Sequence, residues 1–206
     1  MGKIWNKAEK LQYENALLKK GCRYIVGVDE VGRGPLAGPV VCAAVVMPLD
    51  DLSIIEGIDD SKKLSEKKRE LLAEKIKQTA IAYTIIETDE KIIDEINILE
   101  ATKLGMKRAV ESLSIEPDVV LTDGNMTLDV SYPQQSIVKG DALSYSIGAA
   151  SIIAKVHRDH LMDEYAKIYP EYAFAKNKGY GTAEHINAIK EYGLCPIHRR
   201  TFTKKF

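Results

Sequence analysis

Two adjacent carboxylates, Asp29 and Glu30, close an apolar run, Tyr24-Ile25-Val26-Gly27-Val28, and Gly32-Arg33-Gly34 follows almost at once. Acidic side chains at the mouth of a buried strand are costly unless a positive charge sits on them. Two more carboxylates share that setting. Asp123 follows Val119-Val120-Leu121 and precedes Gly124, and Asp141 follows Lys139-Gly140 after the short run 135–138. If these strands are neighbours, Asp29, Glu30, Asp123 and Asp141 converge at one edge of a sheet. Four carboxylates in one place repel each other and need cations to coexist. Hard oxygen ligands select Mg²⁺ or Mn²⁺ over zinc, and no Cys/His cluster offers another choice. Two such ions clamp the attacking and leaving oxygens of a phosphodiester in line. Taken singly, an acidic residue at a strand end is more often a solvated turn residue, and Asp50-Asp51 and Asp59-Asp60 read that way.

The elements that must position these groups follow from periodicity and capping signals. Residues 1–21 read as one amphipathic helix with Ile4, Ala8, Leu11 and Leu18 on one face and Gly21 ending it. Strands are expected at 23–28 and 39–47. The second is apolar throughout and so buried on both faces, and the glycine-rich link suits antiparallel neighbours. Ser65 offers an N-cap to a helix through Leu71, Leu72 and Ile76. A strand at 82–87, a continuous helix over 90–113 and short strands before Asp123 and Asp141 come next. A helix over 144–169 is rich in small residues (Gly148, Ala149, Ala150, Ser151, Ala154), which let it press close to a sheet. Thr182 caps a final helix that Gly193 ends. Strands first, then alternation, then helices describe an α/β chain with a mixed sheet and a small helical lobe from about residue 171. The division expected is 1–22 as a helical appendage, 23–170 as the catalytic domain and 171–206 as the lobe.

Composition bounds the partners. The 206 residues are 45% hydrophobic and 29% charged with a net charge of -1, which is ordinary for a globular protein and advertises no nucleic acid. Distribution says more: from Cys195 onward Arg199, Arg200, Lys204 and Lys205 face no acidic residue. Such a tail either meets a phosphate backbone or is a solvated terminus. Cys22, Cys42 and Cys195 are odd in number and far apart, which suits a reducing compartment, with Cys42 as a small core residue. The N-terminus lacks the apolar segment of a signal peptide, and the run 39–49 is too short to span a bilayer. The expectation is a cytoplasmic monomer with no membrane partner.

The segment Gly27-Val28-Asp29-Glu30-Val31-Gly32-Arg33-Gly34-Pro35-Leu36-Ala37-Gly38-Pro39-Val40 resembles the signature of prokaryotic type 2 ribonuclease H, the ribonuclease HII family. Further segments agree in order: Asp60-Ser61-Lys62-Lys63-Leu64; Asn97-Ile98-Leu99 with Ala101-Thr102; Asp123-Gly124; Lys139-Gly140-Asp141-Ala142; Ala149 to Lys155 with Arg158-Asp159; Asn177 to Thr182 with His185; and His198-Arg199-Arg200 with Phe202. The resemblance implies an RNase H-like mixed five-stranded sheet with a helical C-terminal lobe. It implies divalent-ion ligation by Asp29, Glu30, Asp123 and Asp141. It implies cleavage of RNA in RNA–DNA hybrids and incision 5′ of a ribonucleotide embedded in duplex DNA, leaving a 3′-hydroxyl and a 5′-phosphate. Sensing one ribonucleotide means sensing a single 2′-hydroxyl. The resemblance assigns that task to Gly32, Arg33, Gly34 and Tyr180, the last flanked by Gly179 and Gly181. Lys62, Lys63, Lys155, Lys178, Arg199 and Arg200 are candidate phosphate contacts, which position a duplex without reading its sequence. Asp159, within the long helix beside Arg158, reads as a salt-bridged residue rather than a fourth ligand, and His198 reads as packed in the lobe rather than as a proton shuttle. Rival readings are the sister ribonuclease HIII family, a resolvase or integrase core, and a non-catalytic nucleic-acid binder. A longer N-terminal domain and a Thr-like residue at position 33 would favour the first. The paired glycine turns argue against the second, and the retained carboxylates against the third.

Overall fold

The apolar run after Pro39 forms the centre of the molecule. In the computed structural model, which describes residues 5–206, the elements follow in this order: α1 (Lys7–Lys10), α2 (Gln12–Leu18), β1 (Ile25–Val31), β2 (Val40–Val46), α3 (Glu66–Thr79), β3 (Ala82–Thr88), α4 (Glu90–Glu111), β4 (Val119–Asp123), β5 (Gln134–Ile137), α5 (Gly140–Leu143), α6 (Tyr145–Ile168), α7 (Phe174–Asn177), α8 (Ala183–Tyr192) and α9 (Arg200–Thr203). The strands form one sheet in the order β3-β2-β1-β4-β5. β2 runs antiparallel to β1 and β3, and β4 runs parallel to β1 and β5. This is the mixed five-stranded sheet flanked by helices that the order of elements implied.

β2 shows why its sequence is apolar without alternation. Val41, Ala43 and Val45 share a core with Leu72 and Ile76 of α3 and Ala149 and Ile153 of α6. Val40, Cys42, Ala44 and Val46 share the opposite one with Ile93, Met106 and Val110 of α4. A strand covered on both faces has no solvent side to mark with polar residues. α6 sits close against β1. A Cβ on Gly27 would stand 2.0 Å from the Ser146 carbonyl carbon and 2.4 Å from the Ile147 nitrogen, so only glycine allows this approach.

Several boundaries differ from the sequence reading. β1 continues through Val31, so Asp29 and Glu30 lie within the strand rather than after it. The N-terminal segment is two helices, with Asn6 capping the first through the N–H groups of Ala8 and Glu9. Its buried face carries Lys10, Leu11, Glu14 and Leu17, whereas Ala8 and Leu18 are exposed; Ile4 lies outside the described residues. Apolar periodicity misplaced that face because two of its buried residues are charged. α4 is not continuous: Asn97 adopts φ 66° and ψ 166°, and its Oδ1 accepts from the N–H groups of Leu99 and Glu100, capping a second segment. α8 is followed by the single turn α9. The C-terminal helices share one core with the loop after β1 and with α6, through Leu36, Ala37, Met162, Tyr172, Phe174, Ile189 and Ile197.

Because backbone atoms, which cannot rotate away, surround the Gly27 position, Gly27→Ala is expected to cost about 3 kcal/mol or more of stability. Urea unfolding of the variant measures this; an unchanged midpoint would contradict the close approach of β1 and α6.

Candidate active site

Strand register sets the first two carboxylates side by side. Val28 pairs with Thr122 across the parallel β1–β4 ladder, so Asp29 and Asp123 are the next residues of neighbouring strands. Successive side chains on a strand point to opposite faces, so Glu30 meets Asp29 in one cleft only because both lie near the sheet's end. After β5, Lys139 turns the chain with φ 60°, and the N–H of Gly140 donates to Asp123 Oδ1 at 2.6 Å. A Cβ on Gly140 would lie 2.6 Å from Ile147 Cδ1 of α6 and 3.4 Å from Asp123 Cα of β4, so the turn sits close between the two elements. Asp141 follows in the first turn of α5. The result is a cleft of about 220 Å³ lined by Asp29, Glu30, Asp123 and Asp141 with Val31, Ser61, Lys62, Ser151, Lys155 and Tyr180.

The cleft holds more negative charge than it can comfortably carry. Burial, then the charges of Glu30 and Asp123, push Asp29 well above the usual carboxylate range, against the Ser151 hydroxyl that bonds to it. Burial also raises Glu30, opposed by Arg33 and reinforced by Asp123. Asp141 is raised by burial and by the charges of Asp123 and Asp60, with Lys62 opposing. Glu30 Oε2 is buried without a hydrogen-bond partner, and an unsatisfied carboxylate oxygen is expensive. These are the marks of a site short of positive charge. Among the described residues no three His, Cys, Asp or Glu groups already close on a common ion position; the carboxylates line an open cleft. An all-oxygen set of that kind suits a hard divalent ion that keeps part of its water shell and completes its coordination with substrate oxygens.

The glycine turn beside the acids is held from behind by two arginines. Arg199 donates to the carbonyls of Gly32 (2.5 Å), Arg33 (2.9 Å) and Gly38 (2.9 Å). Arg158 donates to Ala37 (3.2 Å), Pro39 (3.1 Å) and Lys178 (2.9 Å). Both side chains are fully buried. Burial pulls Arg158 down to about 10, and burial with Arg158's charge pulls Arg199 down to about 9, so each keeps its proton at neutral pH. Arg199 is therefore not the phosphate contact the sequence suggested, because its guanidinium is spent on backbone carbonyls. Lys178 is also withdrawn, paired with Asp163 on α6. Arg33 itself is half exposed and stands 3.4 Å from Glu30.

Tyr180 reaches the turn from the other side. Its ring would lie 3.6 Å from a Cβ on Gly34, and the side chain is 45% exposed. A chain of imidazoles fixes its backbone. The Cys195 N–H donates to His198 Nδ1 (3.0 Å), which leaves His198 Nε2–H to donate to His185 Nε2 (3.0 Å) and His185 Nδ1–H to donate to the Tyr180 carbonyl (2.9 Å). Burial and the neighbouring His185 push His198 down to about 4, so it stays neutral. His198 is thus a packed lobe residue, as its sequence context suggested.

Of the other candidates, Lys62 is exposed at the cleft and Lys155 lines it while bonding Asp159 at 2.5 Å. Lys63 pairs with Asp60 at 3.4 Å and Arg200 is exposed. Asp159 is salt-bridged as expected, to Lys155 and to Arg69 at 3.7 Å rather than to the adjacent Arg158. Sequence reasoning missed Ser61 and Ser151, whose hydroxyls meet at 3.0 Å beside Asp29. It also missed Asp60, whose charge bears on Asp141. All three lie inside motifs already singled out, but Ser151 read only as a small helix residue and Asp60 only as a turn residue.

Comparison with known proteins agrees with this geometry. The sequence model of the family described as Ribonuclease HII matches residues 26–205. The chain is 56% identical over 194 residues to the ribonuclease HII of Enterococcus faecalis, covering 94% of this chain and 75% of that one. It is 55% identical over 193 residues to that of Caldicellulosiruptor saccharolyticus, covering 94% and 93%. The crystal structure of the ribonuclease H2 from Pyrococcus horikoshii OT3 superposes with a TM-score of 0.72 at 31% identity, covering 88% of this chain and 95% of that one. With the acidic cleft, the two glycine turns and the sheet in place, the chain belongs to the ribonuclease HII family, metal-dependent endonucleases that act on the RNA of RNA–DNA hybrids.

Proposed function

We propose that this chain incises the RNA strand of hybrids and also cuts 5′ of a single ribonucleotide embedded in duplex DNA, leaving a 3′-hydroxyl and a 5′-phosphate. The observation that carries this reading is the meeting of four carboxylates in a cleft rimmed by Tyr180 and the Gly32-Arg33-Gly34 turn. Asp29, Glu30, Asp123 and Asp141 would hold two divalent ions, Mg²⁺ or Mn²⁺. Such ions supply Lewis-acid activation of water and offset the charge developing on the leaving 3′ oxygen.

The protein's own side chains do the rest. Lys62, exposed at the cleft, offers a cation to a backbone phosphate; Lys155 also lines the cleft, with its ammonium paired to Asp159 at 2.5 Å. Such contacts fix the register of the duplex without reading bases. The ribose is read where Gly34 and Tyr180 approach each other: glycine lets backbone come close to a sugar, and the half-exposed ring offers a stacking face. A 2′-hydroxyl both donates and accepts, and a turn already rigid loses little entropy in meeting it. That rigidity is the work of Arg158 and Arg199.

Asp29→Asn and Asp123→Asn are each expected to lower cutting of a single-ribonucleotide duplex by about a thousandfold, the loss of several kcal/mol of transition-state stabilisation. Fluorescence anisotropy should show binding largely intact. Tyr180→Ala is expected to cut incision of that substrate at least about tenfold with little change in Tm; equal loss of folding and activity would contradict its role. Arg199→Lys replaces a planar fork by a point charge that cannot serve three carbonyls, so it should lower Tm and single-ribonucleotide incision together.

The raised carboxylates also fix a pH dependence. A folded-state pKa above the unfolded value means that ionisation costs stability. Without divalent ions, stability should fall as pH rises from the ordinary carboxylate range through the raised values of Asp29, Glu30 and Asp141. In EDTA at pH 7.5, Asp29→Asn is therefore expected to melt a few degrees above the parent, with the gap closing near pH 4 and shrinking when Mg²⁺ is added. A variant less stable than the parent under all these conditions would overturn this.

A further inference from the structure

The N-terminal helix pair is the part of the fold that the cleft chemistry leaves unexplained, and the family's sequence model begins only at residue 26. Its buried face is unusual in carrying charge. Lys10, only 7% exposed, donates to Asp59 Oδ1 at 2.6 Å and to the carbonyl of Ala142. Ala142 is the residue after Asp141. Asp59 Oδ1 accepts in addition from the N–H of Asp60 at 2.8 Å. Four residues on, the fully buried Glu14 accepts through Oε1 from the Ser144 hydroxyl at 2.6 Å and from the Ser146 N–H at 2.9 Å. Ser144 ends α5 and caps α6. Trp5 Nε1 adds a bond to the Ile58 carbonyl at 2.7 Å, next to Asp59.

We propose that Lys10 and Glu14 are positioning residues for Asp141: α1 and α2 clamp the turn Gly140–Ser144 against the end of β4 and so fix where the fourth carboxylate enters the ion-binding cleft. This rests on the reading of Asp141 as a divalent-ion ligand. The turn needs an outside anchor. At its start the Gly140 N–H ties it to Asp123 at the end of β4, and α5 is a single turn that cannot hold its own shape. Lys10 and Glu14 supply anchors in its middle and at its end. A buried ammonium and a buried carboxylate are a poor choice for packing alone. Apolar residues there would fill the space but leave the Ala142 carbonyl and the Ser146 N–H without these partners. Asp59, which the sequence presented as a solvated turn residue, is the counter-charge of this clamp. Although burial works against it, the Lys10 ammonium and the Asp60 N–H hold Asp59 below the usual carboxylate range.

The experiment measures Mn²⁺ binding to the full chain by calorimetry, with no substrate, for the parent, Lys10→Met, Glu14→Met, Asp141→Asn and the Lys10→Met/Asp141→Asn double variant. Tm and cutting kinetics are followed in parallel. Removing a partner that orients a ligand weakens metal affinity by about tenfold or more. Lys10→Met is expected to show that loss and to need correspondingly more Mn²⁺ for half-maximal cutting, with KM for the hybrid unchanged. In the Asp141→Asn background it should add no further loss, since coupled residues are non-additive. Glu14→Met, close in size, removes the acceptor of both bonds, is expected to act in the same direction and decides the matter where Lys10→Met does not fold. A lowered Tm with unchanged Mn²⁺ affinity, or equal losses in both backgrounds, would reduce the helix pair to a packing element and overturn the proposal. If Asp141→Asn itself leaves Mn²⁺ affinity unchanged, the ligand reading fails and the clamp's role falls with it. If Asp141→Asn weakens binding but Lys10→Met and Glu14→Met do not, the clamp alone fails.

Discussion

Repulsion between carboxylates is the constraint around which this molecule is organised. Asp29, Glu30, Asp123 and Asp141 sit where burial and mutual charge oppose their ionisation. Left to themselves, such groups would rotate toward water or pull their strands apart. They stay because each is mounted on something stiff. Asp29 and Asp123 are carried on paired parallel strands, and β1 is fixed to α6 by the approach at Gly27. β2 behind them is packed on both faces. The hydrophobic cores thus hold charges where electrostatics alone would not leave them. That is the usual relation between a rigid scaffold and a strained site.

A second theme is the use of cationic side chains on the protein's own backbone. Arg158 and Arg199 spend their donors on carbonyls of the loop after β1 and of Lys178, and Lys10 does the same for Ala142. Each segment so held is short and next to the cleft. Irregular backbone has no ladder to satisfy its carbonyls, so a buried donor must come from elsewhere. Arginine suits this because its planar fork reaches several acceptors at once. The glycine turn after β1 and the single turn α5 are therefore held as firmly as longer regular elements.

Much of this was legible in the sequence. An apolar run ending in Asp-Glu before Gly-Arg-Gly announces its chemistry, because burial and charge conflict there in only a few ways. The two-faced burial of β2 and the caps at Ser65, Ser144 and Thr182 were equally plain. What failed was reading a charged residue's address from its charge. Arg199 sat in a basic tail and looked solvent-facing, yet it is buried. Lys10 and Glu14 spoiled the apolar periodicity of the N-terminal face for the same reason, their partners being 49 to 132 residues away in sequence. The break at Asn97 was hidden because the apolar pattern resumes in phase on either side. Local pattern shows which residues prefer the interior; it does not show which polar ones will find a partner there.

The bond from Arg199 to Gly32 spans 167 residues. During synthesis at about 5–20 residues per second, the first acidic strand emerges on the order of ten seconds before the side chain that stiffens the neighbouring turn. A nascent chain can therefore begin assembling its charged strand well before the glycine turn beside it is locked. The turn is stiffened last, when the tail docks, so a chain shortened by its final eight residues would keep its acids and lose the guanidinium that holds the carbonyls of Gly32, Arg33 and Gly38.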